Sequence, residues 1–216
     1  ELMRAFNSMA ARVQASQKSQ REFVANVSHE MKTPLTSIQG FAQALLDGTA
    51  ATRESQQKAA QVIYNESERM HRMVLDLLDL AKLDAGTADL KISAVDVRAL
   101  LNAVAEKFAP QSQRAGVKIE ADIPADLPLL IADGDRMAQV FTNLTDNALK
   151  FTPQGGMVTM RAFLDTDKMN ISVIDTGAGI PEEDLPHIFQ RFYQADPARK
   201  GGEAHSAGLG LAIVHE

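Results

Sequence analysis

The stretch FVANVSHEMKTPLTSIQGFAQALL, Phe23 to Leu46, reads as one amphipathic helix. At about 100° per residue, Val24, Val27, Met31, Leu35, Ile38, Ala42 and Leu45 share a stripe roughly 100° wide. Asp47-Gly48-Thr49 ends it. In the helical segment that follows, Ile63, Met70 and Leu77 recur every seven residues and Met73 and Leu80 fill the positions between, with Glu66 the one polar exception. This is the pattern of a coiled-coil seam. A two-helix hairpin cannot bury both stripes by itself, so packing predicts pairing with a second copy into a four-helix bundle. Upstream, Leu2, Phe6, Met9 and Val13 recur at spacings of three and four, and residues 1–20 read as the end of another helix leading into the bundle.

After Asp84-Ala85-Gly86-Thr87 the pattern changes, which predicts a domain boundary. Alternation at Val117, Ile119, Ala121 and Ile123, at Val158, Met160, Ala162 and Leu164, and at Met169, Ile171 and Val173 predicts strands. Helical segments lie around 97–108 and 136–151. Mixed in this order, they predict an α+β fold, a sheet covered on one face. From Pro181 to Ala207 no period is sustained, which predicts a lid or a loop.

The chain has 216 residues, 45% hydrophobic and 23% charged, enough apolar material for folded cores. Its net charge of −6 disfavours attraction to nucleic acid or acidic lipid, and the absence of cysteine excludes thiolate metal sites and disulfides. No run reaches transmembrane length and the N-terminus lacks a signal-peptide pattern. Starting at Glu1 and stopping within the helix-like run Leu209 to Val214, it reads as an excised fragment.

Four constellations can carry chemistry. His29 lies roughly opposite the apolar stripe, facing water, with Glu30 adjacent, Thr33 one turn on and Pro34 inside the helical pattern. A carboxylate beside an imidazole can hold one tautomer and leave the other nitrogen nucleophilic. Asn143, Asn147 and Lys150 share one face of a helix whose other flank is Met137, Phe141, Leu144 and Ala148. Amide oxygens suit a hard cation such as Mg²⁺, and Lys150 offers charge to a phosphate. Asp175-Thr176-Gly177-Ala178-Gly179 follows an apolar strand, placing a carboxylate at the strand end for an exocyclic amine and glycines where backbone can approach a flat ring. Gly208-Leu209-Gly210-Leu211 opens the final helix, where free N–H groups favour phosphate. Phe189, Phe192 and Tyr193 read as packing around Arg191, a candidate nucleotide contact.

Taken in order, these pieces resemble the signature boxes of two-component sensor histidine kinases. Ser28 to Leu35 (SHEMKTPL) resembles the phosphoacceptor box, Asn143 to Thr152 (NLTDNALKFT) the asparagine box and Asp175 to Gly179 (DTGAG) the first glycine box. Phe189 to Tyr193 (FQRFY) resembles the phenylalanine box and Gly208 to Leu211 (GLGL) the second glycine box. The match runs from about residue 20 to the end. It implies a dimeric helical hairpin bearing the phosphorylated histidine over 20–86, then an ATP-binding domain of GHKL type, an α/β sandwich, over 87–216. By motif position, His29 accepts phosphate, Glu30 is its acid/base partner and Thr33 positions water when the partner regulator is dephosphorylated. Asn147 binds Mg²⁺, Asn143 and Lys150 lie near the phosphates, Asp175 recognises the adenine amine, and Gly177, Gly179, Gly208, Leu209 and Gly210 border the ATP. Residues 1–14 resemble the last helix of a HAMP linker, so 1–19 reads as the end of a signalling helix. A parent anchored in the inner or plasma membrane, with this portion in the cytoplasm, is then implied.

The resemblance also implies a homodimer, a response-regulator receiver domain as phosphoryl acceptor, and movement of the ATP-binding domain about residues 84–90, with Pro34 as a bend point. Ser206 and Ala207 depart from the usual second glycine box, and the family's domain normally continues past residue 216. Two rivals stand beside this reading: an ATPase or serine kinase on the same nucleotide fold, and a non-catalytic dimeric relay. The histidine box weighs against the first, and Asn147, Asp175 and Gly177 weigh against the second.

Overall fold

The computed structural model describes residues 2–194 and 207–216. The chain divides into two compact units, Glu1–Leu77 and Leu78–Glu216.

The first unit is a helical hairpin of α1 (Leu2–Leu46) and most of α2 (Arg53–Asp84). Residues 1–20, read as the end of another helix leading into the bundle, run unbroken into it as α1, because neither Gly nor Pro occurs before Pro34. Pro34 sits inside α1 with its ring fully buried. The turn is chemically specified: the Asp47 carboxylate accepts from Thr49 N at 2.9 Å, and Gly48 takes a left-handed φ of 78°. Thr52 and Ser55 then cap α2 reciprocally, Ser55 N donating to Thr52 Oγ1 at 3.1 Å and Thr52 N to Ser55 Oγ at 3.0 Å. Ala59 and Met73 are buried, whereas Val24 (58%), Leu35 (46%) and Leu75 (48%) stay largely exposed. In the single chain the α2 seam residues Met73 and Leu80 are buried, while Val24 and Leu35 of the α1 stripe stay uncovered.

The second unit contains β1 (Ile92–Val95), α3 (Val97–Ala115), β2 (Lys118–Asp122), β3 (Leu130–Asp133), α4 (Gly134–Phe151), β4 (Met157–Asp165), β5 (Lys168–Asp175) and α5 (Gly210–His215). One sheet has the order β2-β4-β5, with β2 parallel and β5 antiparallel to β4; β1 and β3 form a separate antiparallel pair. The three long strands are the ones that alternation predicts. The short pair was missed because Ile92-Ser93-Ala94-Val95 and Leu130-Ile131-Ala132-Asp133 are four residues each without a clean alternation. Helix α3 outruns the expected 97–108, passing through exposed Pro110 and stopping at Gly116, whose φ of 65° and N–H to Gln113 O close the end.

Alternate residues Val158, Met160 and Ala162 of β4 point into a core filled by Leu101, Val104 and Phe108 of α3 and Phe141, Ala148 and Leu149 of α4. Their neighbours Arg161 and Phe163 are exposed, so the helices cover one face. Asp133 fixes where α4 begins: its carboxylate accepts from Arg136 N at 3.0 Å and from Lys91 N at 2.8 Å. Two charged contacts extend this anchorage to the last turns of α2, from Asp79 to Arg136 at 3.3 Å and to Gln139 at 2.8 Å.

Leu101 is fully buried, so Leu101→Ala is expected to lower the unfolding free energy of this unit by about 2–5 kcal/mol, read from the denaturant midpoint. The Asp133 carboxyl is held below its ordinary 3.8 chiefly by the Arg136 and then the Lys91 backbone N–H groups. Its contribution is therefore present above 3.8 and lost as pH falls through the lower folded value. Asp133→Asn is expected to melt below wild type at pH 7, with the gap closing as the scan is repeated in increasingly acid buffer.

Candidate functional site

In the first unit, α1 places His29 on the exposed side and Glu30, about 100° further round, on the half-buried side. Ser28 Oγ donates to Val24 O at 2.8 Å and Thr36 Oγ1 to Lys32 O at 2.9 Å, so hydroxyls flanking the histidine bond back onto their own helix. Thr33 is exposed. Pro34 has no N–H, which leaves the Glu30 carbonyl without its usual donor four residues on. The Glu30 carboxylate reaches Arg69 of α2, Oε2 to Nη2 at 3.4 Å. Sequence reasoning missed Arg69, although Glu66, the polar exception in the seam, stands one turn before it.

In the second unit the polar face of α4 carries Asn143, Asn147 and Lys150, all half-buried, while Phe141, Ala148 and Leu149 enter the core. Asn143 Nδ2 donates to Gly210 O at 3.2 Å, tying α4 to the first turn of α5. Lys150 Nζ lies 5.3 Å from the centre of the Phe151 ring. Asp175 ends β5 exposed, its Oδ1 accepting from Gly177 N at 2.8 Å, so the second carboxylate oxygen points elsewhere. A Cβ at Gly177 would come within 2.5 Å of Phe151 O, so only glycine allows the chain to pass the end of α4 this closely. Thr176 continues the ladder: its N donates to Met157 O at 3.1 Å and Met157 N donates to its Oγ1 at 2.9 Å.

Phe192 N donates to Gly208 O at 2.9 Å, and a Cβ at Gly208 (φ 68°) would meet Tyr193 O at 2.7 Å. Leu209 is buried and Gly210 half-buried; Gly179 is exposed. Tyr193 Oη donates to Asp184 at 2.6 Å and stacks at a tilt on His187, while Phe189 packs on His215. The aromatics therefore anchor their loop, as the packing reading has it. Arg191 forks onto Asp84 at 2.8 and 2.5 Å and reaches Glu216 at 3.3 Å, and the hydrogen bonds to Asp84 raise its pKa above the ordinary arginine value. Residues 195–206 of the expected lid, Ser206 included, lie outside the described residues.

The asparagine, phenylalanine and two glycine motifs, separated by up to 67 residues, are thus bonded or packed to one another around α4 and α5. A hollow of about 610 Å³ lies elsewhere, between α3 and β2, lined by Ala105, Ala109, Val117 and Ile119 together with Glu106, Gln113 and Lys118. Among the described residues no group of three or more His, Asp or Glu could hold a metal, and no helix is long and apolar enough to cross a membrane.

The family model for the His Kinase A (phospho-acceptor) domain matches residues 19–86, and that for the histidine kinase-, DNA gyrase B- and HSP90-like ATPase matches residues 132–216. Sensor histidine kinase WalK of Bacillus subtilis (strain 168) is 35% identical over 92% of this chain and 33% of its own length. The chain spans between 26% and 46% of the length of such curated relatives. Among solved structures, full-length ShkA in complex with AMPPNP is 34% identical, with a TM-score of 0.64 over 89% of this chain and 39% of that one. Histidine kinase ThkA, solved in complex with the response regulator protein TrrA, is 25% identical, with a TM-score of 0.66 over 80% of this chain and 50% of that one. With a phosphoacceptor hairpin ahead of an ATPase domain of this kind, the chain belongs to the two-component sensor histidine kinases.

Proposed function

We propose that the chain autophosphorylates His29 from ATP and passes the phosphoryl group to an aspartate on a response-regulator receiver domain. The observation that carries this reading is the convergence of Asn143, Asp175, Gly177 and Gly208 on α4 and α5 in one unit, in a chain whose other unit exposes a histidine beside a carboxylate. The free oxygen of Asp175 accepts the adenine exocyclic amine, Gly177 and Gly179 let backbone run along the ring, and Gly208 to Gly210 offer backbone N–H groups to the phosphates. Lys150 and Asn143 lie on the phosphate side. Arg191 reaches the nucleotide by exchanging its present carboxylate partners.

Mg²⁺ fits the donor set. Asn147 offers a hard, half-buried amide oxygen, and the described residues contain no acidic cage, as suits a cation held largely by nucleotide phosphates. When bound, the ion neutralises charge on the phosphates. Otherwise catalysis is positioning. The unprotonated ring nitrogen of His29 forms a bond to the γ-phosphorus as the bond from that phosphorus to the ADP oxygen breaks, its electron pair leaving with ADP. The proton on the other ring nitrogen passes to the Glu30 carboxylate.

The uncovered apolar stripe of the hairpin is the dimer surface, and the face around His29 is where the receiver domain docks. ThkA's complex with its regulator supports that partner. Thr33, one turn from His29, orients water for dephosphorylation of the regulator, and Pro34 is the bend point. Residues 1–19 continue a signalling helix from upstream, residues 20–86 form the phosphotransfer domain and residues 87–216 the ATP-binding domain, in the cytoplasmic portion of a membrane-bound sensor.

Incubation with γ-labelled ATP and Mg²⁺ is expected to leave acid-labile, base-stable label on the wild type and none on His29→Ala. Acid-stable label would point instead to a serine kinase, and absence of both label and nucleotide binding to a relay module. Asp175→Ala is expected to weaken ATP binding roughly 10- to 100-fold in calorimetry, the cost of one charge-assisted hydrogen bond.

A further inference from the structure

The chain places an ion cluster in the hairpin that the boxes above do not include. Arg69 of α2 lies between two carboxylates, 3.4 Å from Glu30 Oε2 through Nη2 and 3.6 Å from Glu66 Oε2 through Nη1. The three side chains are only 15%, 16% and 21% exposed for Arg69, Glu66 and Glu30. Glu66 Oε2 and Arg69 Nε have no hydrogen-bond partner among the described residues. Stability alone does not explain such a cluster. Partly buried charges lose hydration, and apolar side chains of similar volume in the same seam commonly serve as well or better. The cluster sits instead at the level of His29, and its one cross-helix contact goes to the carboxylate beside that histidine.

We propose that Arg69 is a positioning residue for phosphoryl transfer to His29: by binding Glu30 Oε2 it fixes the rotamer of that carboxylate and leaves Oε1 to take the ring proton. Glu66, one turn before Arg69, holds the guanidinium in place from the other side. The proposal rests on the histidine kinase reading. His29 is exposed and Glu30 half-buried, about 100° apart on one helix, so an untethered Glu30 could swing to many orientations that do not serve the ring. A guanidinium can bind two carboxylates through separate nitrogens at a fixed angle, which an ammonium cannot.

The test is a kinetic comparison on the dimeric chain with γ-labelled ATP. Arg69→Ala is expected to lower kcat for labelling of His29 by roughly tenfold or more with KM for ATP unchanged, since the lost element is part of the proton transfer and not of nucleotide binding. Arg69→Lys should recover part of the rate. Arg69→Met keeps the seam filled and should show the same loss as Ala, at wild-type dimer mass and melting temperature. In the Glu30→Gln background, Arg69→Met should cost nothing further, because Arg69 acts through Glu30. Labelling of both Arg69→Ala and Arg69→Met at the wild-type rate overturns the role, as does a full additional loss in the Glu30→Gln background. Wild type that carries no label on His29 overturns the kinase reading and this role with it. Wild type that does label, with indifferent variants, overturns the role alone.

Discussion

The passage of Gly177 beneath the last carbonyl of α4 is the contact on which the second unit's site depends. With a Cβ only 2.5 Å from Phe151 O, no other residue could occupy the position without moving the helix or the loop. Because β5 delivers Asp175 two residues earlier, the same approach fixes where that carboxylate stands relative to Asn143, Asn147 and Lys150. The helix in turn is fixed from its other end by Asp133 and from below by the β4 side chains in the core. A single backbone proximity thus relates strand, helix and loop at the C-terminal end of α4.

The two units solve their packing differently. The second buries a continuous core between one sheet face and two helices, and its charged contacts lie at its margins, Asp79 with Arg136 and Asp84 with Arg191. The first unit has small residues such as Ala59, a buried proline and a partly dehydrated ion cluster in its interior, with large apolar side chains left on its surface. Hairpin and sandwich therefore differ in how they bury apolar area: the sandwich gathers it in one core between a sheet face and two helices, whereas the hairpin leaves Val24 and Leu35 of its α1 stripe largely exposed.

Much of this was legible in the sequence. The seven-residue recurrence from Ile63 to Leu77 and the strict alternation from Val158 to Ala162 each report a face that must be buried, and burial is what sets the period; Leu164, the last residue of the alternation, lies exposed at the strand's end. The motif residues of α4 and of the glycine turns could be named because their chemistry is local. What escaped depends on distant partners. The β1 and β3 strands exist because each pairs with the other across some forty residues, which four-residue segments do not advertise. Residues 1–20, read as the end of another helix leading into the bundle, are continuous with α1, since a change of motif is not a change of helix propensity. Arg69 was invisible as a partner of Glu30 until α2 was laid against α1, and Asp84 likewise until Arg191 reached it.

Pro34 has a mechanical consequence. An α-helix resists flexing because each turn is cross-braced by backbone hydrogen bonds, and α1 is a rod of 45 residues. The missing N–H at residue 34 removes the brace that would end on the Glu30 carbonyl, one residue from His29. That loss would make the turn from Glu30 to Pro34 more compliant than the stiff segments on either side, and the histidine borders it. Under the bend-point role proposed for Pro34, torque applied at either end would be concentrated there, so a small rotation far along the helix would be spent on the orientation of one imidazole instead of being spread evenly over its length.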